Sequence, residues 1–330
     1  TCFAGHVPKQ IKQLYPNANV STSPDWGGFN KTYCCVSLLD PSDPLFEQIG
    51  SKFIQLQAKY YGNSHIFQCD TFNEMNPDSN DPVYLNAYSA NVYKAMEIAD
   101  ENAIWLMQGW LFLSSFWNKN TVSAYLSGVS NDAMIILDLD SESRPIYNLY
   151  DSYYGKPFVW NTLHDFGGHN GIQGNLPNIM NGFISGLNYP NTTIIGIGTT
   201  MEGIWQNYIV YDFTYYMGYH NTSFNITSQF VEKYGYRRYG LPHSANNNNN
   251  ITNNLVSSWI ELGNTLYQLG DTPQTNLATE FPNFGYGKVN HDPMIVQKVW
   301  KSFINVGNIL QTVEKFRYDL TDITRQILSD

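Results

Sequence analysis

Met134-Ile135-Ile136-Leu137-Asp138-Leu139-Asp140-Ser141-Glu142 is a short apolar run, holding one acid, that ends abruptly in polar residues. A run of this length, rich in Ile and Leu, reads as a strand buried on both faces. Similar runs stand at 65–69, 103–108, 157–163 and 193–198, and helical patterns fit between them. Pro44–Tyr61 places Phe46, Ile49, Phe53, Leu56 and Tyr60 on one helical face, with Gly62 as the stop. Pro82–Ala99 does the same with Leu85, Tyr88, Val92 and Met96. Strand and helix in alternation mean an α/β chain with a parallel sheet, either doubly wound or closed as a (β/α)8 barrel.

The residues just past each run favour the barrel, whose active sites are assembled at the C-terminal ends of the strands. The first run leads into Asp70-Thr71-Phe72-Asn73-Glu74, the second into Gly109-Trp110, the third into Asp140-Ser141-Glu142. The fourth leads into His164-Asp165-Phe166-Gly167-Gly168 and the fifth into Thr199-Thr200-Met201-Glu202-Gly203. Eight strands close such a barrel, so these are expected to be its last five, with about three before Thr1. Beyond Gly240 the pattern becomes helical only. Leu255, Trp259, Leu262, Leu266 and Leu269 form one stripe, and Val296, Val299, Phe303, Val306, Leu310 and Val313 another. The expected organisation is the C-terminal part of a barrel over 1–240 and the start of an α-helical domain over 241–330. The Asn run 246–250 would be a surface loop near the boundary.

The composition excludes several classes. Among 330 residues only 14% are charged, while aromatics reach 15% and Asn numbers 37. A net charge of -10 lacks the basic footprint that nucleic acid requires. No run of about 18 apolar residues exists to insert into a membrane. The first residues, Thr1-Cys2-Phe3-Ala4-Gly5-His6, lack the pattern of a signal peptide and read as a strand end entering a loop, as in an excised segment. Six glycosylation sequons, at Asn19, Asn30, Asn191, Asn221, Asn225 and Asn250, point to the secretory pathway. Cys2, Cys34, Cys35 and Cys69 are too few for a disulfide scaffold. Cys34 and Cys35, being adjacent, are not expected to pair with each other; Cys2, Cys69 or a residue outside the segment remain as partners.

Glu74 and Glu202 stand out as strand-end carboxylates of the kind that carry glycoside hydrolysis. Such carboxylates also cap helices or bridge to Arg, and Asp70, Asp138, Asp140, Glu142 and Asp165 compete on position alone. Trp26, Trp105, Trp110, Trp117, Trp160 and Trp205 offer faces for a sugar ring, although most aromatics are core residues. Trp110, past a strand end, and Trp26, in a Gly-rich loop, are the better placed. His164 and His169 match no helical metal-ligand spacing, so no metal is expected. Gly196-x-Gly198 lacks the third glycine of a dinucleotide fingerprint, and no nucleophile elbow occurs.

Asp70-Thr71-Phe72-Asn73-Glu74-Met75 and Met201-Glu202-Gly203-Ile204-x-Gln206-Asn207 resemble the two catalytic motifs of the α-N-acetylglucosaminidase family, glycoside hydrolase family 89. The resemblance continues in Phe3-Ala4-Gly5-His6-Val7-Pro8, Gln108-Gly109-Trp110-Leu111-Phe112 and Leu163-His164-x-Phe166-Gly167-Gly168. It extends to Arg237-Arg238-Tyr239-Gly240 and Phe316-Arg317-Tyr318-Asp319-Leu320, so the ordered motifs span nearly the whole chain. The resemblance implies a lysosomal or secreted exo-enzyme that removes terminal α-linked N-acetylglucosamine from heparan sulfate with net retention. It implies Glu74 as general acid/base and Glu202 as nucleophile. It further implies Trp26, Asn73, Trp110, Leu139, Leu163, Phe166 and His243 as pocket residues, and neither cofactor nor metal. The paired-cysteine loop of the family is here Tyr33-Cys34-Cys35, and Cys69 stands where a small residue is expected.

Physical chemistry accords with these roles. An oxocarbenium-like transition state needs one neutral and one ionised carboxyl at the same pH. Apolar walls and a neighbouring anion would retain the proton on Glu74, and N–H donors would keep Glu202 ionised. An acidic protein does not attract a sulfated polymer, so recognition of one terminal sugar is expected; the resemblance implies a carbohydrate partner ending in N-acetylglucosamine, with no nucleic acid, no membrane insertion and a possible homo-oligomer. Two other readings compete: a carbohydrate-binding protein that has lost catalysis, and a different glycoside hydrolase on the same barrel. Presence of both glutamates argues against the first, and the fold alone leaves the second open.

Overall fold

The computed structural model describes residues 1–24, 28–30, 32–72, 75–164, 171–202, 207–241, 250–269 and 291–329. The chain opens with β1 (His6–Val7), α1 (Ile11–Leu14), β2 (Val20–Thr22) and β3 (Ser37–Leu39). These strands form an antiparallel sheet of order β1-β3-β2, with Val7 opposite Ser37 and Val20 opposite Leu39. Strands of two or three residues carry no readable periodicity, and nothing in the sequence pattern predicts this sheet.

The alternating region comes next, as α2 (Pro44–Tyr61), β4 (Ile66–Gln68), α3 (Pro82–Ala99), β5 (Ile104–Gln108), α4 (Lys119–Leu126) and β6 (Met134–Asp138). It continues with β7 (Phe158–Thr162), α5 (Leu176–Leu187), β8 (Ile194–Thr199) and α6 (Tyr208–Met217). Among the described residues, β4 to β8 make a five-stranded sheet in sequence order. Parallel registers align Phe67 with Trp105, Leu106 with Ile135 and Leu137 with Val159. Phe158 N to Thr193 O and Thr200 N to Thr162 O continue the same sense from β7 to β8. An antiparallel pairing of β5 with β6 would have ruled out a barrel; they are parallel. The strands pack large side chains inward, with Trp105, Met107, Met134, Ile136, Phe158 and Trp160 wholly buried.

One dipeptide sets the helix starts. Asp43, Asp81 and Asp292 each precede a proline at the first helical position, and each carboxylate accepts from the next free N–H, at Leu45, Val83 and Met294. The α2 and α3 bounds are those the sequence predicts, but the buried face of α2 is not. Leu45, Phe46, Gly50, Ser51 and Ile54 are buried, whereas Phe53, Leu56 and Tyr60 are exposed. The reason is the neighbour: a Cβ on Gly50 would lie 2.9 Å from that of Ala95, so the contact face uses small residues.

Cys2 is bonded to Cys69, beside the backbone bond from Cys2 N to Gln68 O. Cys34 and Cys35, expected to stay apart, form a disulfide between adjacent residues.

The remaining helices are α7 (Glu232–Tyr239), α8 (Asn250–Asn264), α9 (Pro293–Leu310) and α10 (Glu314–Ser329). The α9 stripe of Val296, Val299, Phe303, Val306 and Leu310 is buried as its spacing predicts. Two of the sequence motifs meet in this region. Arg238 donates Nε and Nη2 to the Asp319 carboxylate at 2.9 and 2.6 Å, and the Tyr239 hydroxyl donates to Asp319 at 2.8 Å. Trp259 Nε1 donates in turn to the Tyr239 hydroxyl. Asp319→Ala leaves a buried guanidinium without its anion, and is expected to lower unfolding free energy by about 3–5 kcal/mol. Denaturant melts of the natural full-length chain check this, with an unchanged midpoint as the contrary result.

By its contacts the chain divides into two compact units. One comprises Thr1–Leu139, Pro145–Trp160 and Asn188–Gly196; the other comprises Asp140–Arg144, Asn161–Leu187 and Ile197–Asp330.

Candidate active site

The segment carrying the first glutamate leaves β4 and is anchored on both sides. Thr71, buried, shares a 2.6 Å hydrogen bond with the wholly buried Tyr125 hydroxyl. Phe72 packs against Tyr88, Trp117 and Tyr125. On the far side Met75 N donates to Phe72 O, and Asn76 accepts from the Ser114 hydroxyl at 2.8 Å. Asn73 and Glu74 themselves lie outside the described residues. Asp70, a competitor, accepts from Gln108 N at 3.4 Å, and burial pushes its carboxyl up despite that bond.

The ends of β5 and β6 position the next two residues. Gln108 is in register with Leu137, and Trp110 and Leu139 each stand two residues later. Both are half-buried. Trp110 belongs to a tight turn, Gly109–Leu113, that needs its glycine: a Cβ there would meet the Tyr153 hydroxyl at 2.9 Å and Leu137 O at 3.1 Å. Trp105, Trp117 and Trp160 are buried core residues, so of the tryptophans the sequence offers, they present no face to a sugar. Trp26 and Trp205 lie outside the described residues.

Three competing acids have structural duties. The Asp138 carboxylate, wholly buried, accepts from Ile146 N and Tyr147 N at 3.0 and 2.8 Å. Asp140 pairs with Arg144 at 2.7 Å. Glu142, also buried, accepts with one oxygen from Leu163 N at 2.8 Å and His164 N at 2.7 Å. Asp165 lies outside the described residues.

In the second unit the ends of β7 and β8 are joined by the bond from Thr200 N to Thr162 O, 3.0 Å long. Leu163 comes next on one side and Glu202 on the other. Leu163 is buried, and its carbonyl accepts from the Tyr211 hydroxyl of α6. Thr214 of the same helix bonds Thr162 through its hydroxyl. Glu202 is exposed to solvent. Asn207, which sequence reasoning does not single out, ends the Glu202 motif, and its amide bonds four groups on other segments. Its signal was its place in that motif. Phe166, His169 and His243 lie outside the described residues. Among the described residues no three His, Cys, Asp or Glu side chains gather as a metal site, and no helix is long and apolar enough to cross a membrane.

Comparison with known proteins is consistent along the whole chain. Residues 1–221 match the alpha-N-acetylglucosaminidase (NAGLU) tim-barrel domain, and residues 230–330 match the alpha-N-acetylglucosaminidase (NAGLU) C-terminal domain. Alpha-N-acetylglucosaminidase of Homo sapiens is 35% identical over 335 residues, covering 99% of this chain and 44% of that protein. The chain therefore spans less than half the length of that relative. A family 89 glycoside hydrolase from Clostridium perfringens, solved with 2-acetamido-1,2-dideoxynojirmycin and with PUGNAc, has the same fold with a TM-score of 0.81. At 22% identity it covers 100% of this chain and 37% of its own. A double glutamate-to-glutamine variant from the same organism, in complex with its substrate GlcNAc-alpha-1,4-galactose, gives the same score.

Proposed function

The chain belongs to the α-N-acetylglucosaminidase family, and on that premise we propose that it forms the catalytic part of an exo-glycosidase cleaving terminal α-linked N-acetylglucosamine. The observation that carries this reading is the 35% identity over 99% of the chain to a human enzyme of that name. Support comes from the sequence order, in which Glu74 follows β4 and Glu202 follows β8, since such barrels carry their chemistry on the stretches after the strands.

In this reading Glu74 donates a proton to the leaving oxygen as Glu202 attacks the anomeric carbon. Glu74 then takes a proton from the water that releases the sugar, and the configuration is retained. Asn73 offers a donor and an acceptor to the sugar or its acetamido group. Trp26 and Trp110 cover ring faces, Leu139, Leu163 and Phe166 supply apolar wall, and His243 bonds a hydroxyl. The barrel part extends to residue 240 and the helical domain begins at 241. Heparan sulfate is the proposed natural substrate and the lysosome or secretory pathway the proposed location, supported by five sequons whose asparagines are exposed.

The test uses the natural full-length chain and two oligosaccharides, one ending in α-linked N-acetylglucosamine and one carrying it only internally. Release of free N-acetylglucosamine from the first alone is expected. Cleavage of the internal linkage would favour an endo-acting hydrolase, and binding without cleavage would favour a lectin-like protein.

A further inference from the structure

Asn207 stands immediately before α6, at the position where asparagine ordinarily caps a helix, yet its side chain makes no bond to that helix. The amide is directed elsewhere. Its Nδ2 lies 2.8 Å from Gly171 O, 2.7 Å from Gln173 O and 3.1 Å from Nε2 of His164, while Oδ1 accepts from the Tyr267 hydroxyl at 3.0 Å. Backbone carbonyls only accept, so the –NH2 must face them and the oxygen must face Tyr267. The two hydrogens of that –NH2 serve the two carbonyls, and Nε2 of His164 makes a third, longer contact. Asn207 and Tyr267 are both buried.

These bonds join three segments of one unit: the stretch after β7, the end of the Glu202 motif, and the turn beyond α8. His164 is held twice, its ring by Asn207 and its backbone N–H by Glu142. Its φ of +56° lies in the left-handed region, which a non-glycine residue keeps only where its surroundings enforce it. The segment bearing Glu202 is tied at its start by Thr200 N to Thr162 O and at its end by Asn207. We infer that Asn207 is the positioning residue for Glu202, fixing where that carboxylate meets the anomeric carbon by locking the end of its segment to the stretch after β7. This role rests on the function proposed above.

The experiment uses the natural full-length chain with Asn207→Asp, which keeps the shape but sets an oxygen against two carbonyl oxygens. Tyr267→Phe, which removes a single hydrogen bond, is the milder companion. Both are measured on two aryl α-N-acetylglucosaminides, one with a good and one with a poor leaving group, alongside thermal melts. A nucleophile misplaced by about 1 Å loses roughly 100-fold. Asn207→Asp is expected to lower kcat/KM by about that factor equally on both substrates. Tyr267→Phe should show the same equal pattern at roughly 10-fold, and it decides the question if Asn207→Asp fails to fold. Unchanged kcat/KM per folded molecule with only a lower Tm would overturn the inference, leaving Asn207 as a brace. A loss confined to the poor leaving group would also overturn it, by assigning the effect to Glu74. Wild type that cleaves neither substrate would overturn the proposed function itself, and this role with it.

Discussion

Glu202→Gln is expected to abolish turnover on every α-N-acetylglucosaminide, with a loss on the order of 10⁴-fold or more in kcat. The amide is isosteric with the carboxylate, so folding and sugar binding should survive while bond formation to the anomeric carbon does not. Glu202 is exposed beside a strand end fixed by Thr200 and Thr162. Improving the leaving group should restore nothing, because protonation is not what the variant lacks. Steady-state rates on activated and ordinary glycosides check this. Substantial activity on either would remove Glu202 from the role of nucleophile.

Glu74→Gln is expected to behave differently. General acid catalysis contributes about 10²–10⁴-fold, and its weight falls as the departing oxygen becomes stable as an anion. The variant should therefore lose a factor in that range on an ordinary disaccharide and far less, per bond-breaking step, on an aryl glycoside with a good leaving group. In Glu74→Ala the second step lacks its base, and azide, which needs no deprotonation, should accelerate it by trapping the glycosyl-enzyme. Equal losses on both substrates, with no response to azide, would contradict the assignment.

The parallel sheet was legible in the sequence for a plain physical reason. Strands buried on both faces read as unbroken apolar runs, and the abrupt polar residues after them mark the strand ends. The bounds of α2 and α3, starting at Pro44 and Pro82, were equally plain. The buried face of α2 was not, because at Gly50, against Ala95 of α3, and at the buried Ser51 a search for large apolar residues finds nothing. Position alone could not rank the acids; only the bonds of Asp138, Asp140 and Glu142 assign them to the framework. Asn207 escaped notice because its partners are backbone carbonyls, a histidine and a distant tyrosine, none of which has a sequence pattern. The pairing of Cys34 with Cys35 ran against the expectation for neighbouring cysteines.

Catalysis by Glu74 and Glu202 as proposed is a covalent double displacement, and stereochemistry at the anomeric carbon reads it directly. Proton NMR of an aryl α-N-acetylglucosaminide during the first minutes of cleavage by the natural full-length chain distinguishes the two anomers before they equilibrate. Two inversions predict that α-N-acetylglucosamine appears first, with the β-anomer growing in only by mutarotation. Initial release of the β-anomer would mean direct attack by water between carboxyl groups about 6.5–9.5 Å apart, and would contradict the roles given to both glutamates.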